Sequence, residues 1–327
     1  MFAPPKQIQA EVFARLPDAL RKTGQRSSWA DANQHGRAID SFLEGPSFDL
    51  DGSLYVTDIP HGRIFRVSRE GEFSLVTEYD GEPNGLKLHR DGRIFIADYR
   101  RGIVELDPLS GRITPRLERY HSESFKGIND LVFASNGDLY FTDQGQTGLH
   151  DPSGRVFRWC ADGRLDLLVS NVPSPNGLVL NPQETVLYVA ATRGNSVWRV
   201  PLHPDGGTAK VGLFIQLSGG WGGPDGLAMD TDGGLLVAHA GLGCVWHFSP
   251  LGEPLHRIVS PAGLTTTNIA FGGEQWDELY ITESESGSIL RARLPVRGHP
   301  PYSHQQEPHQ QEPHQQESHQ KEPHQRS

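Results

Sequence analysis

Apolar and polar positions alternate in short segments along most of the chain, and one pattern of residues occurs six times. In the clearest copy, Pro175-Asn176-Gly-Leu-Val-Leu precedes a polar turn and a second segment, Leu187-Tyr-Val-Ala-Ala-Thr. Equivalent first segments lie near Glu44, Asn84, Asn129, Asp225 and Asn268. A third segment follows in each copy, as in Gly62-Arg-Ile-Phe-Arg-Val. Alternation with a period of two is typical of half-buried β-strands.

The spacing of the copies predicts the architecture. They recur at intervals of roughly 40–50 residues, which is the length of a four-stranded propeller blade. Asp-Gly and Asn-Gly pairs lie between first and second segments, where tight hairpins favour Gly. The sequence therefore predicts an all-β fold, a six-bladed β-propeller, over residues 44–297. Within the N-terminal segment 1–43, we expect Glu11–Leu16 to complete the last blade and the polar stretch Arg21–Arg37 to be a loop.

An oxygen-bearing side chain stands just before the first strand of every copy. These residues are Glu44, Asn84, Asn129, Asn176, Asp225 and Asn268. The innermost strands of a propeller surround a central channel, so residues at one offset converge near the axis. Carboxylates and carboxamides suit a hard divalent cation, Ca²⁺ first, and two carboxylates would balance its charge. The alternative is that Asn and Asp stand here because they form good turns.

Composition and charge exclude several classes of function. The 327 residues carry a formal net charge of −10, so neither nucleic acid nor an anionic membrane is an expected partner. No apolar stretch approaches membrane-spanning length, and the first residues do not resemble a signal peptide, so we expect a cytoplasmic protein. Cys160 and Cys244 are predicted in outer-half strands of different blades, where a disulfide is not expected.

The last thirty residues and one glycine-rich loop stand apart from the repeats. From Gly298 onward a His-Gln-Gln-Glu-Pro repeat replaces the strand pattern, so residues 298–327 are predicted to be disordered, with weak transition-metal binding as the alternative. We expect Trp221, among the glycines of residues 219–226, to pack against its loop rather than close over a ligand. His61, His150 and His239 are predicted to be structural histidines.

Four motifs carry a resemblance to a known family. Glu44-Gly-Pro, Asn129-Asp-Leu, Pro175-Asn176-Gly and Pro224-Asp225-Gly resemble the senescence-marker-protein, gluconolactonase and luciferin-regenerating family. The resemblance implies one divalent cation in the channel, Ca²⁺ or else Zn²⁺, Mn²⁺ or Mg²⁺, and a small lactone as substrate. It implies metal contacts from Glu44, Asn176 and Asp225 and from Asn129, which also faces the substrate or its bridging water. Asp225 is also the implied general base that accepts a proton from water. Asn84 and Asn268 are expected to lie around these ligands.

One position departs from the family pattern. Sugar-lactone members carry an Arg two residues before the third-blade Asn, and this chain has Gly127 there. Lys126, Arg101 or Arg193 is expected to contact the substrate instead, and the implied substrates widen from sugar-derived to other small lactones. Two further hypotheses remain: a phosphotriesterase on the same scaffold, and a non-catalytic binding propeller in which the ion is purely structural.

Overall fold

The computed structural model describes residues 2–305, and it confirms the six-bladed β-propeller. Each blade is a four-stranded sheet, and blade five carries one additional strand at its outer edge. The inner strands of successive blades are neighbours, and the inner strand of blade six contacts that of blade one, which closes the ring. Within these residues, no helix is long and apolar enough to span a membrane.

The strands follow the repeats of the sequence, from the channel outwards in each blade. The N-terminal strands are β1 (Lys6–Gln9) and β2 (Glu11–Arg15). Blades one to three contain β3 (Leu43–Phe48), β4 (Leu54–Asp58), β5 (Arg63–Val67), β6 (Phe73–Glu78); β7 (Pro83–Leu88), β8 (Ile94–Asp98), β9 (Gly102–Asp107), β10 (Arg112–Leu117); and, after the hairpin β11 (Arg119–Tyr120) and β12 (Glu123–Ser124), β13 (Ile128–Phe133), β14 (Leu139–Asp143), β15 (Gly154–Trp159), β16 (Leu165–Val172). Blades four to six contain β17 (Pro175–Leu180), β18 (Val186–Ala191), β19 (Ser196–Pro201), β20 (Gly212–Gln216); β21 (Gly223–Met229), β22 (Leu235–Ala240), β23 (Cys244–Phe248), β24 (Pro254–Val259); and β25 (Thr266–Gly272), β26 (Glu278–Glu283), β27 (Ser288–Arg293).

The two N-terminal strands attach to the last two blades. β2 pairs antiparallel with β27, with Arg15 opposite Ser288, and this confirms the predicted closing strand. β1 was not predicted; it pairs parallel with β24 of blade five, where Lys6 lies opposite His256.

The stretch from Arg21 to Arg37 is not entirely a loop, so that prediction is wrong in part. Helix α1 (Ser28–Asn33) lies within it, and the side chain of Ser27 caps the helix by accepting a hydrogen bond from the Ala30 N–H. Trp29 anchors the helix because its ring packs with Ile59 of blade one in a small apolar cluster. Short 3₁₀ turns occupy Asp18–Leu20, Ile59–His61, Thr192–Gly194 and Tyr302–His304.

A separate apolar cluster fills each interface between neighbouring blades. Between blades one and two, for example, Ile64 packs with Leu86, Ile96 and Val104. Successive side chains project to opposite faces of a strand, so alternate residues of each strand pack into the same interface. Cys160 and Cys244 are buried, free thiols in different blades, as expected. The clusters hold the six inner strands in fixed positions around the channel.

Residues 298–305 pack across the end of the channel at which the inner strands finish. The His299 N–H donates to the Met229 carbonyl at 2.8 Å, and the ring of Tyr302 stacks on Phe133 with centroids 5.0 Å apart. We call residues 298–305 the C-terminal strap. The prediction of disorder from residue 298 is therefore wrong for the strap, because its aromatic and proline residues find an apolar surface. The remainder of the predicted tail, 306–327, lies outside the described residues.

Candidate active site

Side chains at the ends of the second strands position the start of each inner strand. The Thr57 hydroxyl of blade one donates to the Asn84 carbonyl of blade two at 2.7 Å, and Thr142 of blade three donates to the Asn176 carbonyl of blade four at 2.8 Å. Asp143 accepts a hydrogen bond from the Gly127 N–H at 2.9 Å. The recurring Thr-Asp pair thus fixes where the neighbouring backbone enters the channel.

The strand registers establish which residues are equivalent around the channel. Pro83 pairs with Asp98 at the end of its second strand, and Thr266 pairs with Glu283 in the same way. Thr267, not Asn268, therefore occupies the predicted ring position in blade six. The prediction that Asn268 occupies this position is wrong by one residue, because the pairing of β25 with β26 places Thr267 there. The other five predicted residues share it: Glu44, Asn84, Asn129, Asn176 and Asp225.

The next position around the channel holds glycine in four blades and a side chain in two. The two side chains are Asp130 and Asn268, and each lies over the glycine of the preceding blade. A Cβ on Gly85 would lie 2.2 Å from Asp130 Oδ1, and one on Gly226 would lie 2.0 Å from Asn268 Oδ1. The two glycines therefore make room for these side chains. Asp130 was not predicted to be a site residue. The sequence did mark it, because it is an Asp at a position where four of the six copies carry Gly.

Three acidic side chains converge at the centre: Glu44, Asp130 and Asp225. Asn268 Nδ2 links the first two, because it donates to Glu44 Oε2 at 2.8 Å and to Asp130 Oδ2 at 3.3 Å. Glu44 Oε2 also accepts from its neighbouring backbone N–H. The Asn176 side chain favours the ionised form of Asp225, whereas the charges of both other carboxylates disfavour it. We call Glu44, Asp130 and Asp225 the central carboxylates.

Burial and mutual repulsion disfavour the ionised forms of the central carboxylates. Burial, followed by the charge of Asp130, raises the pKa of Glu44 to about 7. Burial also raises the pKa of Asp130, and burial together with Glu44 and Asp130 raises the pKa of Asp225 well above its ordinary range. Glu44 and Asp130 are each 3% exposed, whereas Asp225 keeps part of its surface accessible. A buried group of like charges is stabilised by a nearby positive charge.

The donors match a hard divalent cation in chemistry and charge. Carboxylate and carboxamide oxygens are the ligands that Ca²⁺ prefers, and an ion among them would offset the repulsion that raises these pKa values. Within residues 2–305, no group of three or more His, Cys, Asp and Glu side chains stands in an arrangement that could hold a metal ion. A divalent ion would therefore depend on the carboxamide oxygens of Asn129 and Asn176 as well as on the central carboxylates.

Asn129 connects the centre to a cleft at the mouth of the channel. Its Nδ2 donates to Gln144 Oε1 at 3.0 Å, and Gln144 Nε2 donates in turn to Ser174 Oγ at 3.0 Å. Gln144 and Ser174 line a cleft of about 400 Å³ together with His150 and Arg193. A cleft of this size accommodates a small molecule.

The three predicted substrate-binding cations have different surroundings. Arg193 lines the cleft, and its charge favours the ionised form of Asp225, which opposes the rise in pKa of that carboxyl. Arg101 lies beside Asp80, with 3.6 Å between its guanidinium and the carboxylate. Lys126 is exposed and donates to Ser153 Oγ at 2.5 Å. Of the three, Arg193 is the one that the structure brings to the site.

A tyrosine occupies the space beside Gly127. A Cβ on Gly127 would lie 2.6–2.8 Å from atoms of the Tyr99 ring. The Tyr99 hydroxyl accepts from Gln146 Nε2 at 2.8 Å, and the same nitrogen donates to Asn33 Oδ1 of α1 at 3.1 Å. An aromatic wall, held by a polar network, therefore stands where a side chain at residue 127 would project.

His61 and His239 have structural contacts, whereas His150 and Trp221 are exposed. His61 Nε2 lies 3.1 Å from the Ile39 carbonyl, and buried His239 accepts from Trp246 Nε1 at 3.2 Å, so both are structural as predicted. His150 is exposed in the cleft. Trp221 is 90% exposed, so the prediction that it packs against its loop is wrong. The flanking glycines allow the loop to hold this ring in solvent.

Comparison with known sequences identifies similar proteins. A family model described as the SMP-30/gluconolactonase/LRE-like region matches residues 42–285. The chain is similar to a gluconolactonase of Zymomonas mobilis, with 34% identity over 286 residues, covering 78% of this chain and 79% of that protein. It is also similar to the lactonase drp35 of Staphylococcus aureus, with 33% identity over 234 residues, covering 67% and 70%.

Solved structures share the architecture. A calcium-binding protein, regucalcin, from Agrobacterium tumefaciens aligns with a TM-score of 0.73 and 22% identity, covering 91% of this chain and 98% of that one. A gluconolactonase from Xanthomonas campestris aligns with a TM-score of 0.70 and 22% identity, covering 90% and 99%. At this level of identity, the two structures establish the fold alone.

Proposed function

Because the chain belongs to the SMP-30/gluconolactonase/LRE-like family, we propose that it is a lactone hydrolase that uses one divalent cation at the centre of its propeller. The observation that carries the proposal is the convergence of Glu44, Asp130 and Asp225 at the centre of the propeller, where the charge of the cleft residue Arg193 acts on Asp225. Buried carboxylates with raised pKa values occur more often at functional sites than elsewhere. The names of the similar proteins, gluconolactonase and lactonase, support the lactone as the substrate class.

Glu44, Asn176 and Asp225 would hold the ion, with Asp130 and Asn129 as further oxygen donors beside them. Ca²⁺ is the first candidate, because every donor in this set is an oxygen. When bound, such an ion supplies Lewis-acid polarisation of a carbonyl and stabilises developing negative charge. The hydrogen bond from Asn268 to Glu44 and Asp130 would keep these two donors oriented.

Asp225 is the proposed general base. Its carboxylate lies beside the other proposed oxygen donors, and its partial exposure leaves it accessible to water. In the proposed reaction, water adds to the lactone carbonyl, Asp225 accepts the proton, and the ring C–O bond breaks to give a hydroxy acid. Protonated Asp225 then gives this proton to the leaving alkoxide, which returns the carboxyl group to its ionised form.

The surroundings of Gly127 and Arg193 indicate which lactones fit the site. The Tyr99 ring beside Gly127 presents an apolar wall where sugar-lactone relatives are expected to carry an arginine. Arg193 offers a positive charge on the wall of the same cleft, where it would attract the carboxylate of the product. We therefore propose small lactones with few hydroxyl groups as better substrates than fully hydroxylated sugar lactones.

The test is a hydrolysis assay on a panel comprising gluconolactone, an aliphatic γ-lactone and a phosphotriester, with metal-free protein and after addition of Ca²⁺. We expect lactone hydrolysis that a chelator abolishes and Ca²⁺ restores. Asp225→Asn should reduce kcat at least a hundredfold, because it removes the base, whereas Asp232→Asn in an exposed turn of the same blade should not. Hydrolysis restricted to the phosphotriester, or lactone hydrolysis insensitive to both chelator and Asp225→Asn, would contradict the proposal.

A further inference from the structure

The wall of the channel beyond the central carboxylates is formed by one residue from each inner strand. The strand registers place these residues at one level: Ser47, Lys87, Val132, Val179, Ala228 and Ala270. All six line a cavity of about 120 Å³, which the C-terminal strap borders through Pro300, Pro301 and Tyr302. Five members of this ring are small or apolar. The sixth, Lys87, brings a positive charge into the channel.

Lys87 is partly buried and has few hydrogen-bond partners for its charge. Its Nζ donates to the Leu86 carbonyl at 3.2 Å, although an ammonium group has three donors. A Lys side chain is rarely withdrawn from water unless it interacts with an anion. The apolar neighbours in its ring offer none, so the anion has to lie elsewhere in the channel.

The central carboxylates are the anions within reach. Lys87 lines the channel two residues beyond Gly85 on β7, just after the register shift between Pro83 and Leu86. The carboxylate of Asp130 lies directly against Gly85, as its 2.2 Å separation from a Cβ position there shows. The positive charge of Lys87 accordingly favours the ionised forms of Asp130 and Glu44.

We propose that Lys87 is the fixed counter-charge of the central site, and that it sets the site to accept a cation of charge two. Three ionised carboxylates carry −3, and Lys87 brings the total to −2, which one divalent ion neutralises. Arg193 also acts on Asp225, but it is exposed and solvent screens its charge. This inference rests on the proposed metal site, but its electrostatic part can be tested without any metal.

Replacing Lys87 by Met keeps the length of the side chain and removes its charge. The site then totals −3, so we expect Ca²⁺ to bind about tenfold more tightly, and trivalent Tb³⁺ to gain affinity by a larger factor, since the attraction scales with ion charge. A tenfold gain at charge two corresponds to about a thirtyfold gain at charge three, so the preference for Tb³⁺ over Ca²⁺ should rise about threefold. Lys87→Arg, which keeps the charge, should leave the preference unchanged. Val132→Met, a packing change at the same level of the neighbouring blade, is the matched control.

The affinities of the four proteins are measured by calorimetric titration with Ca²⁺ and by luminescence titration with Tb³⁺. An unchanged preference in Lys87→Met, or an equal change in Val132→Met, would overturn the inference. Should the unaltered protein bind neither ion, the metal part of the proposed function fails, and thermal unfolding of the metal-free proteins then tests Lys87 separately.

In that measurement, Lys87→Met should lower Tm at pH 8 because the carboxylates lose their counter-charge. Adding Asp130→Asn to Lys87→Met should recover the loss, since the total returns to −2. If Lys87→Met fails to fold, the recovery of a folded protein by the added Asp130→Asn provides the same test. Equal Tm values for the unaltered protein and Lys87→Met, or no recovery of Tm in the double variant, would contradict the inference.

Discussion

The carboxylate of Asp130 lies against the Cα of Gly85, so closely that a Cβ at residue 85 would be 2.2 Å from Asp130 Oδ1. Gly85 does not have a positive φ, so alanine is excluded there by contact and not by backbone conformation. The pair shows how one blade makes room for an acidic side chain of the next. It also gives a way to move Asp130 without changing its chemistry.

Gly85→Ala is expected to displace Asp130 from the centre. We expect a loss of about 1–3 kcal/mol in the free energy of unfolding, typical of overpacking, and a decrease of at least tenfold in affinity for Ca²⁺. Chemical denaturation and calorimetry measure the two effects. The control is Gly212→Ala on an outer strand, where an added Cβ would lie 4.0 Å from the nearest neighbouring atom, the Lys210 carbonyl oxygen. Normal Ca²⁺ affinity in Gly85→Ala would show that Asp130 does not contribute to the site.

Tyr99→Phe tests the contact between the Tyr99 ring beside Gly127 and Gln146, which lines the cleft. The substitution keeps the ring beside Gly127 but removes the hydroxyl that accepts from Gln146. We expect KM for a small lactone to rise several-fold with little change in kcat, because positioning is impaired and the central carboxylates are untouched. Tyr55→Phe, in β4 of blade one, is a control for loss of a tyrosine hydroxyl. A fall in kcat without a change in KM would place Tyr99 in the chemical step instead.

Tyr302→Ala tests the C-terminal strap. Tyr302 stacks on Phe133, and the Arg90 guanidinium lies 4.1 Å from its ring centroid, so truncation removes aromatic and cation–π contacts. We expect a loss of about 1–2 kcal/mol and a decrease of roughly 2–8 °C in Tm. Leu109→Ala is the control, because Leu109 is 98% exposed. A chain ending at residue 297 should lose more stability than one ending at 305; equal Tm values for these two chains would contradict the packing role.

The burial of His239 leads us to expect that stability depends on pH. Burial lowers the pKa of His239, so between that lowered value and the ordinary value of about 6.5 the unfolded chain binds more protons than the folded one. The free energy of unfolding should therefore fall as pH decreases below about 6.5, and recover as pH rises.

His239→Asn, measured by urea unfolding at pH 7.5 and 5.5, isolates that contribution. The variant should lose less stability on acidification than the unaltered protein, whereas the exposed control His150→Asn should retain the full loss. An identical acid-induced loss in His239→Asn would exclude His239 as a source of the effect.

The repeated strands, the closing strand and most of the channel residues could be predicted because each repeat carries its own pattern of alternation and turns. The error at Asn268 arose where Thr-Thr-Asn offers two candidate registers, and only pairing with β26 decides between them. Asp130 was missed because its importance depends on Gly85, a residue 45 positions earlier that contacts it only once the blades have assembled. The strap escaped prediction for a similar reason, since the surface that orders it comes from distant parts of blades three and five.

The attachment of β1 and β2 has a consequence for how the chain is made. These strands leave the ribosome before any of the six blades, yet their partners, β24 and β27, are among the last propeller strands to emerge. β1 and β2 must therefore remain unpaired until nearly all of the propeller has been synthesised, and pairings so remote in sequence form slowly. Any cellular factor that shields exposed strands during synthesis would find its substrate in residues 6–15.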